Sequence, residues 1–268
     1  MLNASQPIGI FDSGVGGLTV ANAVKNLLPD EQIIYFGDTA HLPYGDKSGD
    51  LIRQYSKGIA SFLLQNQCKV ILIACNTASA HAFSYVKEFI GDQAIVLDVI
   101  EPVIENIASK NHSKIGVIGT KGTINSGAYQ KKINHLNPHM EIVSMATPLL
   151  VPMIEEGFVF DDISNAIIRS YLSNEKLSGI ESLILGCTHY PIIKNQIRKF
   201  YNFHVNIIDS SQIVANHLKE ILTKFNIRKE LKSANHKFFV SDYTTIFEAI
   251  ARMFFDDDIS LEKIDFWK

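Results

Sequence analysis

The segment VILIACNTASAHAF, residues 70–83, carries the pattern that decides the fold. Its first five residues are apolar, and Cys75, Asn76 and Thr77 follow directly, where a helix is expected to open. A short apolar run of this kind is typical of a strand buried on both faces of a parallel sheet.

The same order of apolar run and longer amphipathic stretch recurs along the chain. Leu51–Gln65, for example, has its apolar residues at helical spacing. Strands are predicted at Ile8–Phe11, Gln32–Gly37, Val70–Ala74, Ala94–Asp98, Lys114–Ile118, Glu141–Met145, Ser182–Leu185 and Val205–Ile208. Apolar strands separated by helices predict an α/β fold with parallel sheets.

The composition excludes several classes of function. The chain has 268 residues, of which 46% are hydrophobic and 20% are charged, which is typical of a folded protein of one or two domains. The net charge of −3 and the scattered basic residues argue against nucleic-acid binding. The apolar runs are too short to span a membrane, and the N-terminal residues do not resemble a signal peptide, so we expect a cytoplasmic protein.

The cysteine content indicates thiols rather than disulfides or a metal site. There are three cysteines, Cys68, Cys75 and Cys187, and no C-x-x-C pair. An odd, small number argues against a disulfide framework, and this spacing argues against a zinc site. Cys68 has no context that suggests chemistry, and we expect a structural role for it.

The sequence also contains an approximate internal repeat. IGIFDS at 8–13 resembles IGVIGT at 115–120, and VILIACNTA at 70–78 resembles SLILGCTHY at 182–190. Between these matches, Thr39 aligns loosely with Thr147. All α/β strands resemble one another to some degree, but the cysteines fall into register without being forced. Two homologous halves are therefore predicted, with both cysteines at equivalent strand ends.

Small polar residues follow the predicted strands. In parallel sheets, ligands bind beyond the carboxyl ends of the strands, so these residues are the candidates for a site. The set can bind a small anion through hydroxyls and backbone N–H groups. It comprises Asp12-Ser13-Gly14, Asp38-Thr39, Cys75-Asn76-Thr77, Thr120, Thr147 and Cys187-Thr188-His189.

Cys75 and Cys187 are the candidate catalytic groups. Either cysteine alone is compatible with a small buried residue in a tight turn, but a helix N-terminus would favour the thiolate. Two matching thiols facing one cleft suit the inversion of a stereocentre, because one removes a proton and the other delivers one. Asp12 and His189 can assist them, although Asp12 can also be a helix N-cap and His189 a loop residue.

The segment DSGVGGLTV, residues 12–20, is a weak candidate for a phosphate loop. It lacks the Gly-Lys-Ser/Thr ending of a Walker A motif and the spacing of a dinucleotide fingerprint. We expect its glycines to let a ligand carboxylate approach the backbone. No lysine stands out as a Schiff-base site for pyridoxal phosphate, although the sequence alone does not exclude one.

These motifs resemble those of the glutamate racemases, in the aspartate/glutamate racemase family. They occur in the family's order and span almost the whole chain, and Phe238–Phe255 resembles the family's closing strand and helix. The motifs are DSGVGG at 12–17, YFGDT at 35–39, PYG at 43–45, ACNTASA at 74–80, VPMIE at 151–155 and GCTHYP at 186–191.

The resemblance implies roles for individual residues. Cys75 and Cys187 would be the proton donors and acceptors, Cys75 for D-glutamate and Cys187 for L-glutamate. Asp12, Glu155 and His189 would support them, with Glu156 as the alternative to Glu155. The related aspartate racemases tend to carry an acidic residue in place of His189, so histidine favours glutamate. The implied substrate contacts are Asp12, Ser13, Tyr44, Gly45, Asn76, Thr77, Thr188 and His189, joined by Thr120 and Thr123.

The resemblance also implies the architecture and the biological role. We expect two doubly wound α/β domains related by a pseudo-twofold axis, with the active site in the cleft between them. Residues 1–98 and 209–268 would form the first domain and residues 99–208 the second, so that flexing at 98–102 and 209–211 could open the cleft. The family's isomerases work without cofactor or metal and supply D-glutamate for peptidoglycan, and a homodimer is an open question.

Three alternatives remain at this point. A cysteine hydrolase would use Cys187 as nucleophile and His189 as base, and would not need Cys75. A two-lobed amino-acid binding protein would leave L-glutamate unchanged. A redox pair of Cys75 and Cys187 would lose activity under strong reductant, whereas a racemase would keep it.

Overall fold

The computed structural model of the chain describes residues 2–110, 112–230, 235–255 and 259–267. All eight predicted strands are present, each with one end moved by a single residue. Two further short strands follow near the C-terminus. The strands are β1 (Ile8–Asp12), β2 (Ile33–Gly37), β3 (Val70–Ile73), β4 (Ile95–Asp98), β5 (Lys114–Gly119), β6 (Glu141–Ala146), β7 (Ser182–Gly186), β8 (Asn206–Ile208), β9 (Lys237–Val240) and β10 (Glu262–Lys263).

Helices connect the strands, as the sequence predicts. The helix predicted from Leu51 begins at Gly49, because the Ser48 side chain accepts a hydrogen bond from the Leu51 N–H and caps it. The helices are α1 (Leu18–Leu27), α2 (Gly49–Gln65), α3 (Asn76–Ile90), α4 (Glu101–Ala108), α5 (Lys121–Ser126), α6 (Ala128–Leu136), α7 (Leu150–Glu155), α8 (Asp162–Leu172), α9 (Lys194–Phe200), α10 (Ser210–Lys224) and α11 (Thr245–Phe254).

The strands form two parallel sheets with the same internal order. The first has the order β10-β9-β2-β1-β3-β4, and the second has the order β6-β5-β7-β8. Strands β2-β1-β3-β4 thus correspond to β6-β5-β7-β8. The α/β fold with two doubly wound halves is confirmed.

The strand register confirms the repeat and corrects one pairing in it. Ile8 lies opposite Val70 and Ile115 lies opposite Ser182, so Cys75 and Cys187 follow equivalent strands. The pairing of Thr39 with Thr147 is wrong by one residue. The Asp38 N–H donates to the Asp12 carbonyl as the Thr147 N–H donates to the Gly119 carbonyl, so Asp38 is the counterpart of Thr147.

The apolar core is shared between the halves. One cluster of buried side chains runs from β1 through α4 and α10 into the second sheet, and another covers the opposite face of the first sheet. The segment after β4 is part of this core, since Val99 and Ile100 are buried. No described helix has the length and apolar character needed to cross a bilayer. The domain limits near residues 98 and 209 stay a prediction.

A buried ion pair anchors the first half. The Lys69 Nζ donates to Glu31 Oε2 at 2.6 Å and to the carbonyls of Ala4 and Ile227 at 2.8 and 2.9 Å. Both charged side chains are at most 1% exposed. Because each charge has close partners, the pair joins the N-terminal segment, β3 and the segment after α10 without leaving an unpaired buried charge.

Candidate active site

A cavity of about 280 Å³ lies where the carboxyl ends of the two sheets meet. Both halves contribute to its wall, as expected for a ligand site at the ends of parallel strands. Of the residues predicted for the site, Asp12, Gly14, Asp38, Thr39 and Thr123 do not line it. Those that do are Ser13, Tyr44, Gly45, Cys75, Asn76, Thr77, Thr120, Thr147, Glu155, Cys187, Thr188 and His189.

Cys75 is the N-cap of α3, which agrees with the predicted helix start. Its Sγ accepts from the Ala78 N–H at 3.4 Å and donates to Ser13 Oγ at 3.6 Å. Burial raises the pKa of Cys75 to about 12, and the negative charges of Asp12 and Cys187 add to this rise against the two hydrogen bonds. Cys75 is therefore a protonated thiol at neutral pH.

Cys187 has a different neighbourhood from the one expected. No α-helix begins directly after it, because a 3-10 turn at Tyr190–Ile193 intervenes before α9. Its polar neighbour is His189 instead, with 3.8 Å between Sγ and Nδ1. His189 is 3% exposed, so it is not a solvated loop residue.

His189 bridges Cys187 and Glu155. Its Nε2 lies 3.0 Å from Glu155 Oε1, whereas the adjacent Glu156 is exposed, so geometry selects Glu155. Burial lowers the pKa of His189, but the contacts with Cys187 and Glu155 outweigh this and raise it to about 10. His189 is therefore an imidazolium at neutral pH, and it places a positive charge beside the Cys187 sulfur.

Asp12 is buried, and it is only 1% exposed. Its Oδ2 accepts from the N–H groups of Gly14 and Gly17 at 3.2 and 3.0 Å, just before α1 begins, much as an N-cap would. Its Oδ1 has no hydrogen-bond partner among the described residues. Burial raises the pKa of Asp12, although the charge of His189 and these amides oppose the rise.

The glycines of residues 14–17 serve contacts within the protein, not with a ligand as predicted. A Cβ atom on Gly16 would lie 2.4 Å from the His189 ring, and one on Gly17 would lie 2.5 Å from the Cβ of Asp12. Neither glycine lines the cavity. Their lack of a side chain lets the first half pack directly against His189 and Asp12.

Three threonine hydroxyls meet across the two halves. Thr77 Oγ1 lies 2.8 Å from Thr120 Oγ1 and 3.1 Å from Thr123 Oγ1, and the latter two are 3.1 Å apart. Thr77 and Thr120 line the cavity, and Thr123 is buried next to them. These hydroxyls connect α3 with the start of α5 and can exchange partners with an anion.

Tyr44 lines the cavity, and Asp38, a sequence candidate for the site, lies behind it and not in the cavity wall. The Tyr44 hydroxyl donates to Asp38 Oδ2 at 2.7 Å. Asp38 Oδ1 accepts from Ser241 Oγ at 2.8 Å and from the Trp267 indole N–H at 2.7 Å, and His41 Nδ1 lies within 3.1 Å of both oxygens. The end of the chain thus supports one wall of the cavity.

The side-chain amide of Asn76 has a hydrogen-bond partner for its oxygen but none for its nitrogen among the described residues. Its Oδ1 accepts from the Tyr129 hydroxyl at 2.7 Å. Its Nδ2 is buried without a hydrogen-bond partner among the described residues, and the side chain lines the cavity. Tyr129 belongs to α6 in the second half and was not predicted from the sequence.

Together these groups offer one acid and one base at a single cavity. Cys75 carries a proton in a setting that disfavours ionisation, while Cys187 faces an imidazolium. Several hydroxyls, the Asn76 amide and the half-buried Glu155 carboxylate line the cavity with the two thiols. Such a set is suited to moving a proton to and from a small polar molecule.

The family model and the relatives that this chain resembles are all described as racemases. The family model described as Asp/Glu/hydantoin racemase matches residues 18–218. The chain is 43% identical over 249 residues to a glutamate racemase of Geobacter metallireducens, with 92% of each chain covered. A crystal structure of glutamate racemase from Francisella tularensis, in complex with D-glutamate, superposes with a TM-score of 0.92 at 40% identity, covering 98% of this chain and 99% of that chain. A Bacillus anthracis glutamate racemase gives 0.93 at 34% identity, covering 98% of both chains.

Proposed function

The chain belongs to the Asp/Glu/hydantoin racemase family of isomerases, and from that membership we propose that it interconverts L-glutamate and D-glutamate by a two-base mechanism. Cys75 and Cys187 are the two bases, and neither cofactor nor metal takes part. The observation that carries this proposal is the pair of thiols on one cavity, one held protonated and the other beside an imidazolium.

In the direction from L to D, the Cys187 thiolate removes the α-proton from one face of the substrate. The carbanion-like intermediate then takes the proton of the Cys75 thiol on the other face, which leaves Cys187 protonated and Cys75 ionised. In the direction from D to L, Cys75 is the base and Cys187 the acid. His189 stabilises the Cys187 thiolate, and Glu155 orients His189.

Burial and the negative charge of Asp12 both oppose the ionisation of Cys75. The substrate ammonium group offsets this. Asp12 has a free carboxylate oxygen, and its charge acts on Cys75, so a cation bound beside them favours both anions. We expect Cys75 to ionise only when substrate is bound, with its proton passing to the Cys187 thiolate, so that Cys187 becomes the acid of the D-to-L direction.

The carboxylates of glutamate require neutral or positive donors. The hydroxyls of Ser13, Thr77, Thr120 and Thr188 and the free Asn76 amide nitrogen supply neutral donors. Since the named relatives are glutamate racemases and one of them was solved with D-glutamate, glutamate is the substrate that we propose.

The decisive experiment follows the α-proton. L- and D-glutamate are incubated separately with the protein in heavy water, with no added cofactor. We expect each to give the other enantiomer, with deuterium at the α-carbon of the product. A requirement for added pyridoxal phosphate would refute the mechanism.

Substitution of the cysteines separates the proposal from the alternatives. Cys75→Ser and Cys187→Ser should each lower racemisation by at least about a hundredfold, the scale of acid–base catalysis. Cys68→Ser is the matched control, since Cys68 is buried outside the cavity and should be dispensable. A fully active Cys75→Ser variant would favour a one-cysteine hydrolase, and activity lost under strong reductant would favour a redox pair.

The biological role that we propose is the supply of D-glutamate for peptidoglycan in the cytoplasm. Expression of the chain should restore growth of a bacterium that depends on added D-glutamate because it has lost its own racemase. The Cys187→Ser variant should not. A homodimer remains a prediction, which light scattering can test.

A further inference from the structure

Tyr129 contacts the candidate site from the opposite half of the protein. It is the second residue of α6, is 2% exposed, and packs against the segment that leads to Cys187, because a Cβ on Gly186 would lie 3.5 Å from its ring. Its hydroxyl reaches the Asn76 amide, at the start of α3 beside Cys75. One phenol therefore connects the neighbourhoods of the two cysteines.

We infer that Tyr129 is a positioning residue whose hydroxyl fixes the Asn76 amide with its NH₂ group towards the cavity, where it binds a substrate carboxylate. The inference rests on the proposed function for the identity of the substrate. It adds to that function a residue of the second half, Tyr129, that orients the amide donor of Asn76 in the first half.

The direction of the hydrogen bond follows from the protonation of Tyr129. Burial and the negative charges of Asp98 and Cys187 raise the pKa of Tyr129 well above its usual value, so the phenol keeps its proton. A buried hydroxyl proton needs an acceptor. The Asn76 amide oxygen supplies one, whereas the amide nitrogen cannot, so only one of the two amide orientations satisfies Tyr129.

The amide nitrogen is left free by this arrangement. It is buried, it has no partner among the described residues, and its side chain lines the cavity. A buried NH₂ group without a partner is costly, and a bound carboxylate relieves this cost. With the opposite orientation, the amide oxygen would face the carboxylate and repel it.

The hydrogen bond also joins the two halves. Asn76 belongs to the half with the first sheet and Tyr129 to the half with the second. The donor is therefore oriented only while the halves lie together as they do here. A purely structural cross-link would show the same geometry, so the test must separate binding from stability.

The test is a double-mutant cycle with Tyr129→Phe, Asn76→Ala and the double variant. Tyr129→Phe should raise KM by about fivefold to tenfold, the loss expected for one well-placed hydrogen bond, and change kcat less. In the Asn76→Ala background, Tyr129→Phe should have no further effect on KM, because the residue through which it acts is gone. The effect on kcat/KM should be equal for the two enantiomers, since their equilibrium constant is unity.

Tyr201→Phe is the matched control. The Tyr201 hydroxyl is also buried but has no partner among the described residues, so its removal should leave KM unchanged. Thermal unfolding of every variant separates a loss of folding from a loss of binding.

Two results would overturn the inference. One is an unchanged KM in a folded Tyr129→Phe variant. The other is a rise in KM on Tyr129→Phe that is equally large in the wild-type and Asn76→Ala backgrounds. Calorimetric binding of D-glutamate gives a readout that does not depend on turnover. Wild-type protein that binds glutamate without racemising it would refute the proposed function, while the cycle in binding affinity would still decide the role of Tyr129.

Discussion

Gly16→Ala should disable the site by displacing His189. The added methyl group would lie 2.4 Å from the Cε1 and Nδ1 atoms of His189 and 2.7 Å from Thr188 Oγ1. The ring cannot rotate away freely, because it is 3% exposed and its Nε2 is bonded to Glu155. The methyl group therefore moves the imidazolium away from its present position.

The size of the effect follows from these distances. Ordinary contact begins near 3.4 Å, so the ring or the loop must shift by about 1 Å to accept the methyl group. A misplacement of that size costs about a hundredfold in rate when a catalytic group is involved. We expect kcat to fall by about this factor.

Polarimetry or circular dichroism of glutamate measures the rate in both directions. The pH profile gives a second signature. His189 stays charged up to a pKa of about 10 through its contacts with Cys187 and Glu155, so weakening them should bring the alkaline loss of activity to lower pH.

Gly179→Ala is the control for a general loss of stability. Gly179 has a φ of 73° and no neighbour within 4 Å of an added Cβ, so alanine there strains the backbone away from the cavity. It should lower the melting temperature without lowering kcat. If Gly16→Ala kept wild-type kcat and pH profile, the assignment of His189 as a supporting group would be refuted.

Three further predictions concern stability. Lys69→Met should lower the unfolding free energy measured in urea by about 3–5 kcal/mol, because it leaves Glu31 buried without its cation. The double variant with Glu31→Leu should recover much of that stability, and equal stability of the single and double variants would contradict this. Trp267→Phe keeps an aromatic ring but removes the N–H donor to Asp38, and should lower the unfolding free energy by about 1.5–3 kcal/mol. Because Asp38 also accepts from the Tyr44 hydroxyl at the cavity, KM should rise. An unchanged unfolding free energy would count against this prediction. The folded-state pKa of Cys75, about 12, lies above its usual value of 9, so the contribution of its protonation to the unfolding free energy is complete below pH 9 and is lost as the pH rises towards 12. The unfolding free energy of Cys75→Ser should therefore fall less steeply between pH 9 and 12 than that of the wild type. Parallel slopes for the two proteins would argue against this prediction.

The sequence predicts the sheets well because buried parallel strands leave a local pattern. Residues 70–73 form β3 and residues 182–185 lie in β7. Both are largely apolar runs, and a cysteine follows each of them within two residues. Their repeat also brings Cys75 and Cys187 to one cavity. These features depend on neighbours in the chain, so periodicity and order are sufficient to find them.

Contacts between distant parts of the chain leave no such pattern. Trp267 and Asp38 are 229 residues apart, and Tyr129 and Asn76 are 53 residues apart. Neither tryptophan nor tyrosine lies in a motif that marks it. The burial of Asp12 outside the cavity wall is likewise set by packing against Gly17, which the segment DSGVGG does not reveal.

The repeat places the two thiols at equivalent strand ends, but their surroundings differ, and in the proposed mechanism that difference decides which thiol holds the proton. Two identical thiols in one cavity would share a single proton over part of the pH range, with nothing to decide which thiol holds it. Burial and Asp12 keep the proton on Cys75, while His189 offers a positive charge to Cys187. The difference cannot favour either enantiomer at equilibrium, because L- and D-glutamate have equal free energy. In the proposed mechanism it determines instead that Cys75 holds its proton before substrate arrives.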